Sequence, residues 1–411
     1  MSSNTAQPSL TAVALCSLLL SLPTLSVQSQ EADVDWPHYG SAPGGGRFSP
    51  AEQITPANVQ RLKPVWDHRS GDFRSGEVSN DLEFDEGMSQ RPTTFMVTPI
   101  VADDTLYYCT PFNRVFALDP QTGAEKWQFD PEVDMTEEGL TNCRGVSFWK
   151  NPTPTGAACD SRVILGTLDA RLVALDAETG KRCPDFAGGG DVDLNEGLSE
   201  YEAYEYGITS PPAIIGNAMV TGAYVVDSQR EDVPSGVVRA YDVTSGEFLW
   251  GWNSVAPGKP ERDADGNYLA GTTNVWSVIS VDAALGLVYV PTGNSSPDYY
   301  GGDRDGDLDF YSSSIVALNA ENGEVAWHYQ TVHHDIWDYD VPAQPVLVDL
   351  TIGGEERQAL DQATKMGLTF VLDRRTGEPH FPIEERPVPQ DGAVPGEYLA
   401  ATQPIPSKPD P

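Results

Sequence analysis

Between Gln330 and Pro345 the chain reads QTVHHDIWDYDVPAQP, which gathers two histidines, three aspartates and a tryptophan into sixteen residues. A carboxylate in such a cluster can act as general base toward a hydroxyl, or supply hard oxygen ligands to a divalent cation. On residue type alone Asp335, Asp338 and Asp340 are equivalent candidates. His333 and His334 suit either orientation of the loop or contact with a substrate. Lys365 follows Asp338 by 27 residues. Taken alone, Lys365 and Arg114 (in FNRVF) read as solvated surface charges and Trp276 (in NVWSV) as a core aromatic. A second acidic run, GGDRDGDLD (301–309), lacks the glycine and the terminal carboxylate of an EF-hand loop and reads as solvated.

The elements that must position this chemistry form a repeat. An apolar pair, Asp or Asn, a few variable residues, Gly and then a bulky residue recur as ALDPQTGAEKW (117–127), ALDAETGKRCP (174–184), AYDVTSGEFLW (240–250), ALNAENGEVAW (317–327) and VLDRRTGEPHF (371–381). Each phrase is a strand, a tight turn whose Gly takes positive φ, and a second strand. The turn glycines Gly123, Gly180, Gly246, Gly323 and Gly377 stand 57, 66, 77 and 54 residues apart, room for a four-stranded blade with long loops. The pattern predicts an all-β propeller, with a β-sandwich as the alternative.

Composition agrees: 38 Gly, 33 Pro and no long helical periodicity describe a turn-rich β protein. With 61 acidic against 25 basic residues, the net charge of −36 repels nucleic acid and anionic membranes. Leu10–Leu25 is an apolar stretch of secretory length, followed by small residues that suit cleavage near Ser29, although no Lys or Arg precedes it. The expectation is a signal peptide at 1–29, export to the periplasm or beyond, and a mature domain, 30–411, without an integral membrane span. Cys109, Cys143, Cys159 and Cys183 then remain. Three connectivities are open to them, and Cys159 with Cys183, which flank one strand pair, is the expected bridge.

Longer motifs carry a resemblance. DWPHYGSAPGGGRFSPAEQITPANVQRLKPVW (35–66), CTPFNRVFALDPQTGAEKW (109–127), CRGVSFW (143–149), TSPP (209–212), SGVVRAYDVTSGEFLW (235–250), YSSSIVALNAENG (311–323), QTVHHDIWDYDVPAQP (330–345) and VLDRRTGEP (371–379) together resemble the quinoprotein dehydrogenases. The likeness is to the glucose and quinate branch, which uses pyrroloquinoline quinone (PQQ). It covers nearly everything after residue 35.

The resemblance implies an eight-bladed propeller with the quinone in its central channel, of which this chain carries about five blade signatures. A fragment lacking C-terminal blades is therefore expected. Trp276 matches the tryptophan under the quinone ring, Arg114 and Lys365 match cationic cofactor contacts, and Arg144 and Thr209 (or Ser210) are further candidates for the pocket. Asp338 falls at the position of the catalytic aspartate, the general base that takes a hydroxyl proton as hydride leaves the same carbon. The implied metal is calcium, or alternatively magnesium, with Asp227, Asn294 and Asp338 as ligands. Ser228 departs from the branch's asparagine, leaving Glu231 as a substitute ligand. Leu140 stands where glucose-oxidising members carry a histidine, which weighs against glucose itself. The implied activity is oxidation of a sugar or cyclic polyol, with electrons passed to ubiquinone or a small acceptor protein. The alternative is a non-catalytic propeller that binds protein partners, or an inactive relative.

Overall fold

The computed structural model describes residues 1–2, 34–75, 92–135, 141–227, 230–304 and 306–408. The rest of the expected leader, Leu140 and Ser228 lie outside the described residues. A short N-terminal unit, Met1–Val34, precedes the main unit, Asp35–Pro411.

In the main unit the repeats pair as successive antiparallel meanders. Blade one is Ile100–Ala102, Thr105–Cys109, Val115–Leu118 and Glu125–Phe129. Blade two is Ser147–Lys150, Ser161–Gly166, Arg171–Asp176 and Val192–Asp193. Blade three is Ala213–Ile215, Ala218–Thr221, Val238–Asp242 and Phe248–Trp252, and blade four is Ser280–Asp282, Leu287–Pro291, Ser314–Asn319 and Val325–Gln330. Val346–Ile352, Glu355–Ala363 and Thr369–Asp373 form a three-stranded fifth sheet, and the hairpin Ile383–Pro387 with Thr402–Pro406 follows. This is the all-β propeller architecture that the repeat predicts, not a sandwich.

The repeated phrase folds the same way each time because its turn residues satisfy the backbone. In blade four the Gly323 N–H donates to the Asn319 carbonyl at 2.8 Å, and Gly323 sits at φ 74°. In blade one Asp119 Oδ1 accepts from the Thr122 N–H at 2.7 Å. The bulky residue of one phrase then docks on the turn of the next. A Cβ on Gly180 would lie 2.6 Å from the Trp127 ring, one on Gly323 2.5 Å from Trp250, and one on Gly377 2.5 Å from Trp327. Each indole N–H closes the contact on a turn carbonyl: Trp127 on Ala177 (3.0 Å), Trp250 on Ala320 (2.9 Å) and Trp327 on Arg374 (3.3 Å). Blade two lacks its tryptophan, because Pro184 stands there, and Phe186 meets the Gly246 turn instead.

The core accordingly lies between blades. Buried side chains from blades one and two form one cluster, those of two and three a second, and so on around the sequence. Cys109 is bridged to Cys143 and Cys159 to Cys183, so the expected pair is present together with a second. The acidic run 301–309 is solvated only in part: Gly302, Asp303 and Gly306 are exposed, while Arg304 and Asp309 are buried. Arg304 is fully buried at its side chain and pairs with Asp309 at 2.9 Å, because a buried guanidinium requires a carboxylate partner. Among the described residues no helix is long and apolar enough to cross a membrane.

Candidate functional site

After blade four the chain crosses to the fifth sheet through residues 331–345, and Asp335 shapes that crossing. Its Oδ1 accepts from the Trp337 N–H at 2.9 Å, while Oδ2 accepts from the Tyr339 N–H and the Ser313 hydroxyl at 2.7 Å. Burial pushes the Asp335 carboxyl up, against these hydrogen bonds. With both oxygens committed, Asp335 is an organiser of the loop. The loop presents Asp338 at φ 55°, a left-handed conformation that a non-glycine residue adopts only when its surroundings impose it.

Lys365, from the turn after Ala363, reaches this residue. Its ammonium donates to the Asp338 carbonyl at 2.8 Å and to Asp338 Oδ2 at 3.0 Å, and stands 3.3 Å from Asp340 Oδ2. Burial lowers the Lys365 pKa, but the two aspartates outweigh it and the net direction is upward. Asp340 is itself pushed well above the carboxylate range, first by burial and then by neighbouring Asp338. Its Oδ2 accepts the Trp276 indole N–H at 2.8 Å, and its Oδ1 accepts the Asn294 N–H at 3.2 Å.

Trp276 extends the constellation. The Arg144 guanidinium lies 4.9 Å from its ring centroid, in cation–π range, and donates to Thr209 Oγ1 at 2.6 Å. Thr209 and Ser210 donate in turn to the Trp276 carbonyl at 3.4 and 2.7 Å. Arg144, Thr209, Trp276, Asp340, Lys365 and Asp338 thus form one connected set drawn from distant stretches of sequence.

Carboxylate oxygens of Asp227, Asp298 and Asp338 lie within 4.8 Å of one another. Asp338 Oδ1 is buried without a hydrogen-bond partner. An acceptor so placed suits a hard divalent cation. Asn294 is hydrogen-bonded within its loop: its amide oxygen accepts from Ser312 Oγ at 2.9 Å and from the Ser295 N–H at 3.0 Å, and its amide nitrogen donates to the Asp298 carbonyl at 2.9 Å. It therefore holds the loop that carries Asp298. Arg114 is engaged in blade one with Asp72 at 2.8 Å and Gln128 at 2.7 Å. His333 and His334 tether the loop to the later hairpin. His333 meets Glu385 at 3.2 Å, and His334 lies between Asp309 (2.8 Å) and Glu397 (3.4 Å), stacked on Tyr398.

A family model described as "PQQ: Glucose/ethanol/alcohol dehydrogenase, beta-propeller domain" matches residues 36–411. The chain belongs to the PQQ-dependent dehydrogenase family. It is 42% identical over 391 residues to the quinoprotein glucose dehydrogenase of Escherichia coli, covering 92% of this chain and 47% of that protein. To the glycerol dehydrogenase large subunit of Gluconobacter oxydans it is 39% identical over 379 residues, 91% of this chain and 49% of that protein. The solved quinohemoprotein alcohol dehydrogenase from Comamonas testosteroni superposes with a TM-score of 0.68 at 29% identity, over 91% of this chain and 52% of that one. The chain spans about half the length of the curated relatives it matches.

The residues of this PQQ-dehydrogenase site fit the family's cofactor. A flat indole, a guanidinium beside its face and a fixed ammonium suit a planar polyanionic quinone, and the orphaned Asp338 acceptor suits its cation. Sequence reasoning missed Asp298. Its signal was present in TGNSSPD, four residues beyond Asn294, but which of the two oxygen donors faces Asp338 depends on how that loop folds.

Proposed function

We propose that the chain oxidises a hydroxyl of a sugar or cyclic polyol by hydride transfer to PQQ, with Asp338 as general base. The observation that carries this reading is the bridge from Trp276 through Asp340 to Lys365 and Asp338, which gathers an aromatic floor, a cation and a base within hydrogen-bond reach of one another. Bound PQQ supplies a two-electron oxidant that accepts hydride. Trp276, Arg144 and Lys365 would hold it, and Asp227, Asp298 and Asp338 would hold calcium, or magnesium, at its edge. The substrate hydroxyl gives its proton to Asp338 while its carbon loses hydride, leaving a carbonyl product. Lys365 restrains Asp338 through both its carbonyl and carboxylate, so the base is held for that transfer. Ubiquinone or a small electron-acceptor protein is the proposed next carrier. An exported, periplasmic or secreted location belongs to the same reading, and two disulfides support it.

The test is to load the purified protein with calcium and PQQ and follow dye reduction over a panel of aldoses and polyols. Reduction that depends on PQQ and is lost in Asp338→Asn is expected. A folded, PQQ-binding protein that reduces no dye with any substrate would turn the reading toward a non-catalytic, partner-binding propeller.

A further inference from the structure

Beside Asp338 the same loop walls a cavity of about 550 Å3, a size typical of small-molecule sites. Ile336, Trp337 and Tyr339 line it from the loop, Met366 from beside Lys365, and Val394 and Leu399 from the segment that crosses toward the hairpin. Trp337 and Val394 are 72% and 54% exposed, apolar surface that water alone does not explain. Tyr299, another wall residue, directly follows Asp298 in the chain and so joins the cavity to the acidic trio.

The charges of the lining have one sign. Asp391 and Glu397 are its acids, and among the described residues no lysine or arginine lines it. His334, the one imidazole among the described lining residues, is held between Asp309 and Glu397. A divalent ion among Asp227, Asp298 and Asp338, together with Lys365 on Asp338, sets three positive charges against three negative, so the trio leaves no surplus positive charge for the cavity. A carboxylate on a substrate would find no cationic partner in this lining, and burying an unpaired charge is costly. Aromatic walls instead suit the C–H face of a ring.

We propose that this cavity holds the body of the substrate and selects an uncharged cyclic alcohol or polyol with an apolar ring face over a ring acid. This rests on the reading under Proposed function.

The experiment uses the full chain loaded with PQQ and calcium and compares trans-4-methylcyclohexanol with trans-4-hydroxycyclohexanecarboxylate, the same ring with and without a charge. The neutral ring is expected to have a kcat/KM at least about tenfold higher. Leu399→Trp and Val394→Trp, which fill the cavity, are expected to raise its KM about fivefold or more with little change in kcat. Binding is read separately with 1-methylcyclohexanol, a tertiary alcohol whose carbinol carbon has no hydrogen to give up as hydride, by saturation-transfer NMR. Its signal should weaken in both variants, in step with the higher KM. If it binds in this way while no ring is oxidised, the cavity assignment stands and the dehydrogenase reading fails. Equal or better turnover of the acid, or tertiary-alcohol binding undiminished in both variants, overturns the proposal. Val394 lies at an exposed position, so its variant tests the site even where Leu399→Trp fails to fold.

Discussion

Lys365 holds two carboxylates that would otherwise repel each other, so its removal should cost more than one contact. Lys365→Ala is expected to lower kcat by about 100-fold or more in dye reduction while far-UV circular dichroism stays unchanged, in keeping with loss of a preorganised electrostatic partner. Asp309 makes the corresponding test of stability. It is buried, and burial alone would raise its carboxyl, yet His334 and Arg304 together bring it below the ordinary value. A carboxyl depressed in the folded state contributes stability above its unfolded pKa and loses it as pH falls toward the lower folded value. Asp309→Asn should therefore destabilise by about 3 kcal/mol near neutrality, leaving Arg304 buried without a carboxylate. The gap to the wild type should narrow on acidification below about pH 4, as read by denaturant melts across pH. At this scale residue types were legible and roles were not. Asp335, Asp338 and Asp340 look alike in the sequence, and only backbone direction makes one an organiser, one a lysine-bound carboxylate facing the trio and one the partner of an indole.

The blade phrase is the element whose physics is most open to test. Gly323 and Gly246 share a positive φ, but a Cβ on Gly323 would strike the Trp250 ring at 2.5 Å, whereas on Gly246 the nearest atom is 3.1 Å away. Gly323→Ala should cost about 2–4 kcal/mol, left-handed strain plus a displaced tryptophan, and Gly246→Ala only about 1–2 kcal/mol. Comparable losses in thermal or denaturant melts would show that strain alone governs these turns. The turns, their glycines and the strands beside them were readable because each is set by neighbours within a few residues. Docking of each tryptophan on the next turn was not, since it joins positions about fifty to seventy residues apart.

Across the main unit, blades stack through shared apolar faces, with one disulfide running from blade one to the approach of blade two and the other closing blade two on itself. In the chain-entropy account each disulfide, closing 34 or 24 residues, contributes about 3–4 kcal/mol. Cys159→Ser with Cys183→Ser should lower the midpoint of denaturation accordingly. Thiol labelling of the unreduced wild type should leave Cys109, Cys143, Cys159 and Cys183 unmodified, and modification of any of the four would contradict the pairing.

The sequence by itself determined the repeating β architecture, the acidic surface and the positions where chemistry is concentrated, because periodicity, turn chemistry and residue type are local properties. Tertiary structure alone decided that Asp298 joins Asp227 and Asp338, that Arg304 and Asp309 are buried, and that Lys365 spans two aspartates. Those facts depend on which side chains meet after the blades have packed, and a carboxylate has the same composition in a solvated loop as in a cation site.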